Sequence, residues 1–390
     1  MTDGLGVPPR GTRPRNRREL IIAAAAELFG SRGYAKVGMS DLAQAVGIGP
    51  SALYRHFGGK REVLEQVVAF GLAPMRELVA GLGEADRASA ASALAGYAID
   101  HRYIGPLWQR EARDLSPEAQ ASLNTVLREI RHGLTAFVRR IRPELPGRSA
   151  ELISWSVLAV LLSQSYHHLE LPRPGYDRLL AGLIDTALDA TPPELEPPAA
   201  VVDQVLRPAS RREELLAVAM RMFAGRGYAQ VGIEDIGQAV GIAGPSVYNH
   251  WPTKLDLLIT MFRRGAAALA GELATAYRYS PDAATALRDL MDVYVRRSQA
   301  DPELFTLVFT ELEHLPAPER DEMLRAQRDF VNELAHLLRL DQPDLEPVVA
   351  RLRVHAALSV AAQVAHAGGR RHAPAAVRGV CAALLGLRLG

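Results

Sequence analysis

The sequence predicts an all-α protein built from two fused copies of one unit. Three observations carry this reading. Apolar residues recur at helical spacing, as in Leu20, Ala24, Leu28 and Phe29, and again in Leu123, Leu127, Ile130 and Leu134. Alternating β-branched runs are absent, while Gly and Pro fall between the periodic segments at Gly33, Gly47, Pro143, Pro146, Gly147 and Pro172. Residues 17–64 align without a gap on 211–258 at a constant offset of 194, with 22 of 48 positions identical.

The repeated core reads SRGYAKVGMSDLAQAVGI over residues 31–48 and GRGYAQVGIEDIGQAVGI over 225–242. Beyond it the copies match weakly at an offset of 200. There Leu107-Trp108-Gln109-Arg110-Glu111 falls on Leu307-Val308-Phe309-Thr310-Glu311, Leu115 on Leu315 and Pro174 on Pro374. A repeat of roughly 190 residues is a whole domain rather than a solenoid unit, and about nine helices are expected in each.

Along the chain, residues 1–16 read as a basic flexible arm carrying Arg13 and Arg15. Residues 17–64 are the first repeat and 65–190 its companion body. Residues 191–210, with five prolines, read as an extended linker able to reach at most about 66–72 Å. The second repeat is 211–258 and its body 259–390.

Composition narrows the function. The 390 residues are 48% hydrophobic and 23% charged, with a formal net charge of +1, so any nucleic-acid affinity must come from local clusters. The single cysteine, Cys381, excludes an intrachain disulfide and a cysteine-based zinc site, and its apolar setting predicts a packed thiol. His167 and His168 are adjacent, without metal-ligand spacing. No P-loop, G-x-G-x-x-G or nucleophile elbow occurs, so an enzyme is not expected, nor a cofactor. No secretory signal and no run of about 18 apolar residues is found, so a cytoplasmic protein without a membrane partner is expected.

Each repeat predicts three short helices, in the first copy about Arg17–Ser31, Met39–Ala45 and Pro50–Phe57. Gly33 suits the end of the first, and Gly47 can supply the positive φ of a tight turn after the second. Two short helices joined by a glycine-containing turn form a helix-turn-helix. The third helix carries Ser51, Tyr54, Arg55 and His56, which can reach phosphates or base edges, and Lys60 opens the next helix. Leu53, Phe57, Val247 and Trp251 read as core. Tyr54 as a packed aromatic and His56 as a surface histidine are the plainer alternatives.

At these residues the chain resembles the TetR family of bacterial transcription regulators, in a tandem two-copy form. Gly33-Tyr34, Asp41-Leu42-Ala43, Gly47-Ile48, Leu53-Tyr54-Arg55-His56-Phe57 and Lys60 carry the resemblance. Gly227-Tyr228, Asp235-Ile236-Gly237, Gly241-Ile242, Val247-Tyr248-Asn249-His250-Trp251 and Lys254 repeat it. Gly58-Gly59 departs from the family's usual Pro-Ser, and Gly38 stands at its usual Ser/Thr cap. The resemblance implies that Tyr54, His56 and Lys60 touch the DNA backbone, with Ser51, Ala52 and Arg55 nearest the bases. In the second copy it implies Tyr248, His250 and Lys254, with Pro245, Ser246 and Asn249. It further implies a repressor of operator DNA released by a small apolar or amphipathic effector of lipid or acyl type. Two long C-terminal helices per copy, about 149–168 with 176–190 and 347–367 with 374–388, would form a four-helix bundle. The chain would then be an intramolecular pseudo-dimer, with a two-chain assembly of four heads as the alternative and ligand-independent DNA binding as the competing function.

The two heads differ in charge. Residues 10–61, including Arg17 and Arg18, carry a net +7, whereas 207–256, including Arg211 and Arg212, carry +1. Each phosphate neutralised adds salt-sensitive affinity, so the first head is expected to dominate binding, with its arm free to enter a minor groove. The alternative reading of Glu234 and Asp235 is as helix-start carboxylates, and the two readings are compatible.

A candidate effector site is thinner. Ile104, Trp108, Glu111 and Leu115 share a helical face, as do Leu304, Val308, Glu311 and Leu315, so a carboxylate interrupts each apolar stripe. Such a buried carboxylate needs a partner, and an internal ion pair or capping contact with an arginine is the plainer reading. The sharper one is a pocket lined by Trp108, Trp155 and Tyr166 with Glu111, and by Phe305, Phe309 and Phe330 with Glu311.

Overall fold

The computed structural model describes residues 17–193, 208–368 and 372–387. The basic arm, with Arg13 and Arg15, and most of the linker lie outside the described residues. Among the described residues every regular element is a helix, nine α-helices in each copy. The first copy gives α1 (Arg17–Arg32), α2 (Met39–Ala45), α3 (Pro50–Leu53), α4 (Lys60–Ala80), α5 (Arg87–Asp100), α6 (Ile104–Arg110), α7 (Pro117–Ile141), α8 (Gly147–Ser163) and α9 (Gly175–Asp189). The second gives α10 (Arg211–Arg226), α11 (Ile233–Ala239), α12 (Gly244–Val247), α13 (Lys254–Tyr279), α14 (Ala283–Ala300), α15 (Pro302–Thr310), α16 (Ala317–Asp341), α17 (Pro347–Gly368) and α18 (Pro374–Leu385).

Packing divides the chain into two compact units. One runs to Phe137 and includes Gln164–Tyr166; the other holds Val138–Ser163 and the described residues from His167 on. The division therefore falls inside α7, not at the Pro-rich linker. The cause lies in α8, where Leu152, Ile153, Val157, Ala159 and Val160 are all fully buried. A helix apolar on several faces needs neighbours on several sides. In the second unit α8 packs on α9 and α17, and α18 on α9 and α17. Helices from both copies thus form one bundle. Cys381 is buried in it; its Sγ donates to the Ala357 carbonyl at 3.3 Å, and burial pushes the thiol pKa up to about 12.

Pro347–His366 is long and apolar enough by composition to cross a membrane, with mean hydropathy 1.3. Its apolar window is 72% buried inside the protein, as the core helix of this bundle.

The heads fold as the sequence suggests. Gly33 and Gly227 leave their helices at φ 84° and 89°, and Gly47 and Gly241 make the inter-helix turn at φ 66° and 77°. These are left-handed conformations open mainly to glycine. Phe29, Leu42, Leu53, Phe57 and Leu64 form the first head's core, and Phe223, Ile236, Val247, Trp251 and Leu258 the second's. At Gly237 a Cβ would lie 3.0 Å from the Ile242 carbonyl and 3.2 Å from Gly244 Cα, so α11 and α12 meet backbone to backbone.

Candidate nucleic-acid interface

The second helix of each head is capped. The Gly38 N–H donates to Asp41 Oδ2 at 2.6 Å, and the Gly232 N–H to Asp235 Oδ2 at 2.8 Å. This is the backward half of a capping box, with glycine in place of Ser or Thr. The turn closes by the Ile48 N–H donating to the Ala43 carbonyl and the Ile242 N–H to the Gly237 carbonyl, both at 2.9 Å.

The third helix is shorter than the expected Pro50–Phe57. Regular α-helix ends at Leu53, and at Val247 in the second copy. Beyond it the winding tightens: the Arg55 N–H bonds the Ala52 carbonyl and the His56 N–H the Leu53 carbonyl, as i→i−3 bonds. The side chains nevertheless fan out along one edge. Ser51, Tyr54 and Arg55 are exposed, with Ala52 and His56 half-buried. Pro245, Tyr248 and Asn249 are exposed, with Ser246 and His250 half-buried. Tyr54 at 55% and Tyr248 at 51% exposure are the outward aromatics, which excludes the packed-aromatic alternative.

Several cations assigned to phosphate are turned towards protein. Lys254 Nζ donates to the Tyr228 and Val231 carbonyls, both at 2.9 Å, and lies 4.2 Å from the centre of the Tyr228 ring. Lys60 Nζ lies 4.1 Å from the Tyr34 ring centre and 3.4 Å from the Ala35 carbonyl. Burial lowers both lysine pKa values. Each ammonium ties the start of the helix after the head to the loop after the first helix. Arg18 and Arg212 are likewise committed to the far end of the reading helix, bonding the carbonyls of His56 and His250. Arg211 bonds Glu214 at 2.7 Å and the Val240 carbonyl at 3.1 Å. Arg17 is half-buried on α1.

Ion pairs also engage charges of the second head. In the second head Glu213 accepts from Arg264 at 2.5 and 2.8 Å, which holds its carboxyl below the usual range. Arg226 reaches Asp235 at 3.4 Å. Arg55, in the first head, faces solvent.

Behind each head lies a buried carboxylate. Glu111, following α6, accepts from the Tyr34 N–H at 3.4 Å. Glu311, at the end of α15, accepts from the Tyr228 N–H at 3.3 Å and from Thr310 Oγ1 at 3.0 Å, and lies 3.3 Å from His314 Nε2. The carboxylates that interrupt the apolar stripes therefore join body to head through a backbone N–H of the head. Of the other pocket candidates, Tyr166 bonds Gln109, while Trp155 lies on α8 in the other compact unit. The Trp108 side chain lies outside the described residues. Phe305 and Phe330 meet through Tyr294, at 5.2 Å edge-on and 6.0 Å stacked, and Phe309 is half-buried on α15. The sequence reading missed Tyr294, although it lies beside Val295 on a helix whose buried face includes Leu287, Leu290 and Met291.

Two capped helix-turn-helix heads, each joined to its own helical body, define a tandem helix-turn-helix protein. Both heads match the family model for bacterial regulatory proteins of the tetR family, over residues 21–67 and 215–261. The match covers the two heads and not the helical bodies. It is 28% identical over 99 residues to the HTH-type transcriptional activator FasR of Mycolicibacterium smegmatis, covering 25% of this chain and 45% of that protein. It is 39% identical over 61 residues to the HTH-type transcriptional repressor KstR2 of the same organism, covering 16% and 30%. It is 41% identical over 61 residues to the nucleoid occlusion factor SlmA of Vibrio atlanticus, covering 15% and 31%. The chain spans less than half the length of these relatives. Among solved structures, a TetR-family regulator from Bordetella parapertussis aligns with TM-score 0.42 at 18% identity, over 45% of this chain and 95% of that one.

Proposed function

We propose that this protein is a DNA-binding transcription regulator in which one chain presents two unlike reading heads to an asymmetric operator. The observation that carries it is the paired exposure of Ser51, Tyr54 and Arg55 against Pro245, Tyr248 and Asn249 on equivalent edges. A tyrosine repeats where backbone contact is expected, while the residues suited to bases differ. Arginine bonds guanine O6 and N7, whereas asparagine bonds adenine N6 and N7. The first half-site therefore carries guanine where the second carries adenine.

Effector response is the next part of the proposal. Glu111 and Glu311 bond each body to its head, so a ligand that moves α6 or α15 also moves a reading helix. By linkage, DNA and effector then weaken each other's binding equally. The tandem layout resembles that of a mycobacterial tandem repressor of the third mammalian-cell-entry operon, which favours release by an acyl-type ligand. The bundle built from helices of both copies favours a single-chain pseudo-dimer in solution. Ligand-independent DNA binding is the second reading, favoured by Glu111 and Glu311 accepting hydrogen bonds from the protein itself.

The test is selection of duplexes from a random pool by the full chain. Enrichment of a guanine-containing half-site that disappears with Arg55→Ala supports the proposal. A pool that never enriches counts against it.

A further inference from the structure

In the turn that ends each reading segment, the carbonyl of His56 or His250 is held by an arginine from the first helix of its head. Arg18 Nη1 donates to the His56 carbonyl at 3.1 Å, with its guanidinium carbon 4.6 Å from the centre of the Phe57 ring. Arg212 donates to the His250 carbonyl, and its guanidinium carbon lies 3.5 Å from the centre of the Trp251 ring. Trp251 Nε1 donates back to the Arg212 carbonyl at 3.2 Å. The aromatic differs between copies, Phe57 against Trp251, and both are fully buried. In the first head Arg18 also reaches Glu62 at 3.4 Å, where the second has the shorter Asp256. The shared feature is therefore the carbonyl bond with the covered ring.

A carbonyl at a helix end lacks an intrahelical partner. A guanidinium can bond it and cover an aromatic face at the same time, because it is planar with donors in a fixed fork. An ammonium, a point charge on a flexible stem, does not reproduce both contacts together.

We propose that Arg18 and Arg212 are positioning residues, each clamping the end of its reading helix and so setting the angle at which Arg55 or Asn249 meets DNA. The DNA part of this proposal rests on the functional reading above; the clamp itself does not.

The test uses the full chain with Arg18→Ala, Arg18→Lys, Arg212→Ala and Arg212→Lys, each checked by circular dichroism and thermal melting. Amide hydrogen exchange without DNA should quicken about tenfold over residues 51–57 or 245–251, only in the altered head. Affinity for the duplex selected by the unaltered chain should fall about tenfold for Ala and Lys alike, with an unchanged salt slope. Full rescue by Lys, or a salt slope smaller by about one in the Ala variant, identifies a phosphate ligand and overturns the proposal. Unchanged exchange overturns it too. If the unaltered chain selects no duplex, the functional reading fails, while the exchange measurement still decides the clamp.

Discussion

Ser359 Oγ donates to the carbonyl of Ala159 at 2.8 Å, and the two residues occupy the same position in the two copies, separated by the offset of 200. In a two-fold interface, a residue near the axis meets its own counterpart. The contact therefore marks a pseudo-two-fold meeting of α8 and α17 within one chain. Ala159 is fully buried and Ser359 is 7% exposed, so the crossing has no slack.

Overpacking at this crossing should be costly. Ala159→Leu is expected to destabilise the second unit by about 1–3 kcal/mol. Ser359→Ala removes one hydrogen bond and should cost about 0.5–1.5 kcal/mol. Urea melts check both, and an Ala159→Leu midpoint equal to that of the unaltered chain would count against the crossing.

The two heads should contribute unequally to binding. Arg55→Ala is expected to cost about 1–3 kcal/mol and to relax preference at one base position. Asn249→Ala should cost less, because its head is nearly neutral and its acids engage Arg211 and Arg264. Fluorescence anisotropy at two salt concentrations compares them, and equal losses would sink the asymmetry.

Glu311 should matter for stability as well as coupling. It is 2% exposed and accepts from the Tyr228 N–H and Thr310 Oγ1. Glu311→Ala leaves the Tyr228 N–H without its acceptor, at about 1–3 kcal/mol, while Thr310 Oγ1 keeps the Thr306 carbonyl at 3.1 Å. Hydrogen exchange at Tyr228 reads the loosened head directly; protection unchanged from the unaltered chain would show that the bond does not hold it.

The bundle should weaken in acid through His355. Burial, followed by the nearby Arg351, lowers the His355 pKa from 6.5 to about 4. The unfolded chain therefore takes up the proton more readily than the folded one. The stability tied to neutral His355 is fully present above about pH 6.5 and is lost as pH falls through about 4, a loss on the order of 3 kcal/mol. Comparing the chain with His355→Phe across this window isolates the effect. A stability difference that stays flat with pH would contradict it.

Much of the reading head was legible because its rules are local. Gly33 and Gly47 announced their turns, and Leu53 and Phe57 announced the core by spacing. The shortened reading helix was less so, since tightening to i→i−3 bonds leaves no compositional mark. The inward lysines and arginines were hidden for a different reason. A cation beside a DNA-binding helix looks the same in sequence whether it meets phosphate or a protein carbonyl. A signal was present, though: Arg18 pairs with Phe57 and Arg212 with Trp251, an arginine and a large aromatic at matched positions in both copies. The packing of α8 against α17 rests on contacts about 200 residues apart, which periodicity within one helix does not reveal.

The most direct test of the central claim is a footprint on the selected duplex, combined with the mass of the complex. One 42.3 kDa chain per duplex, protecting two unlike half-sites about one helical turn apart, is the expected result. Two chains on a perfect palindrome would contradict it.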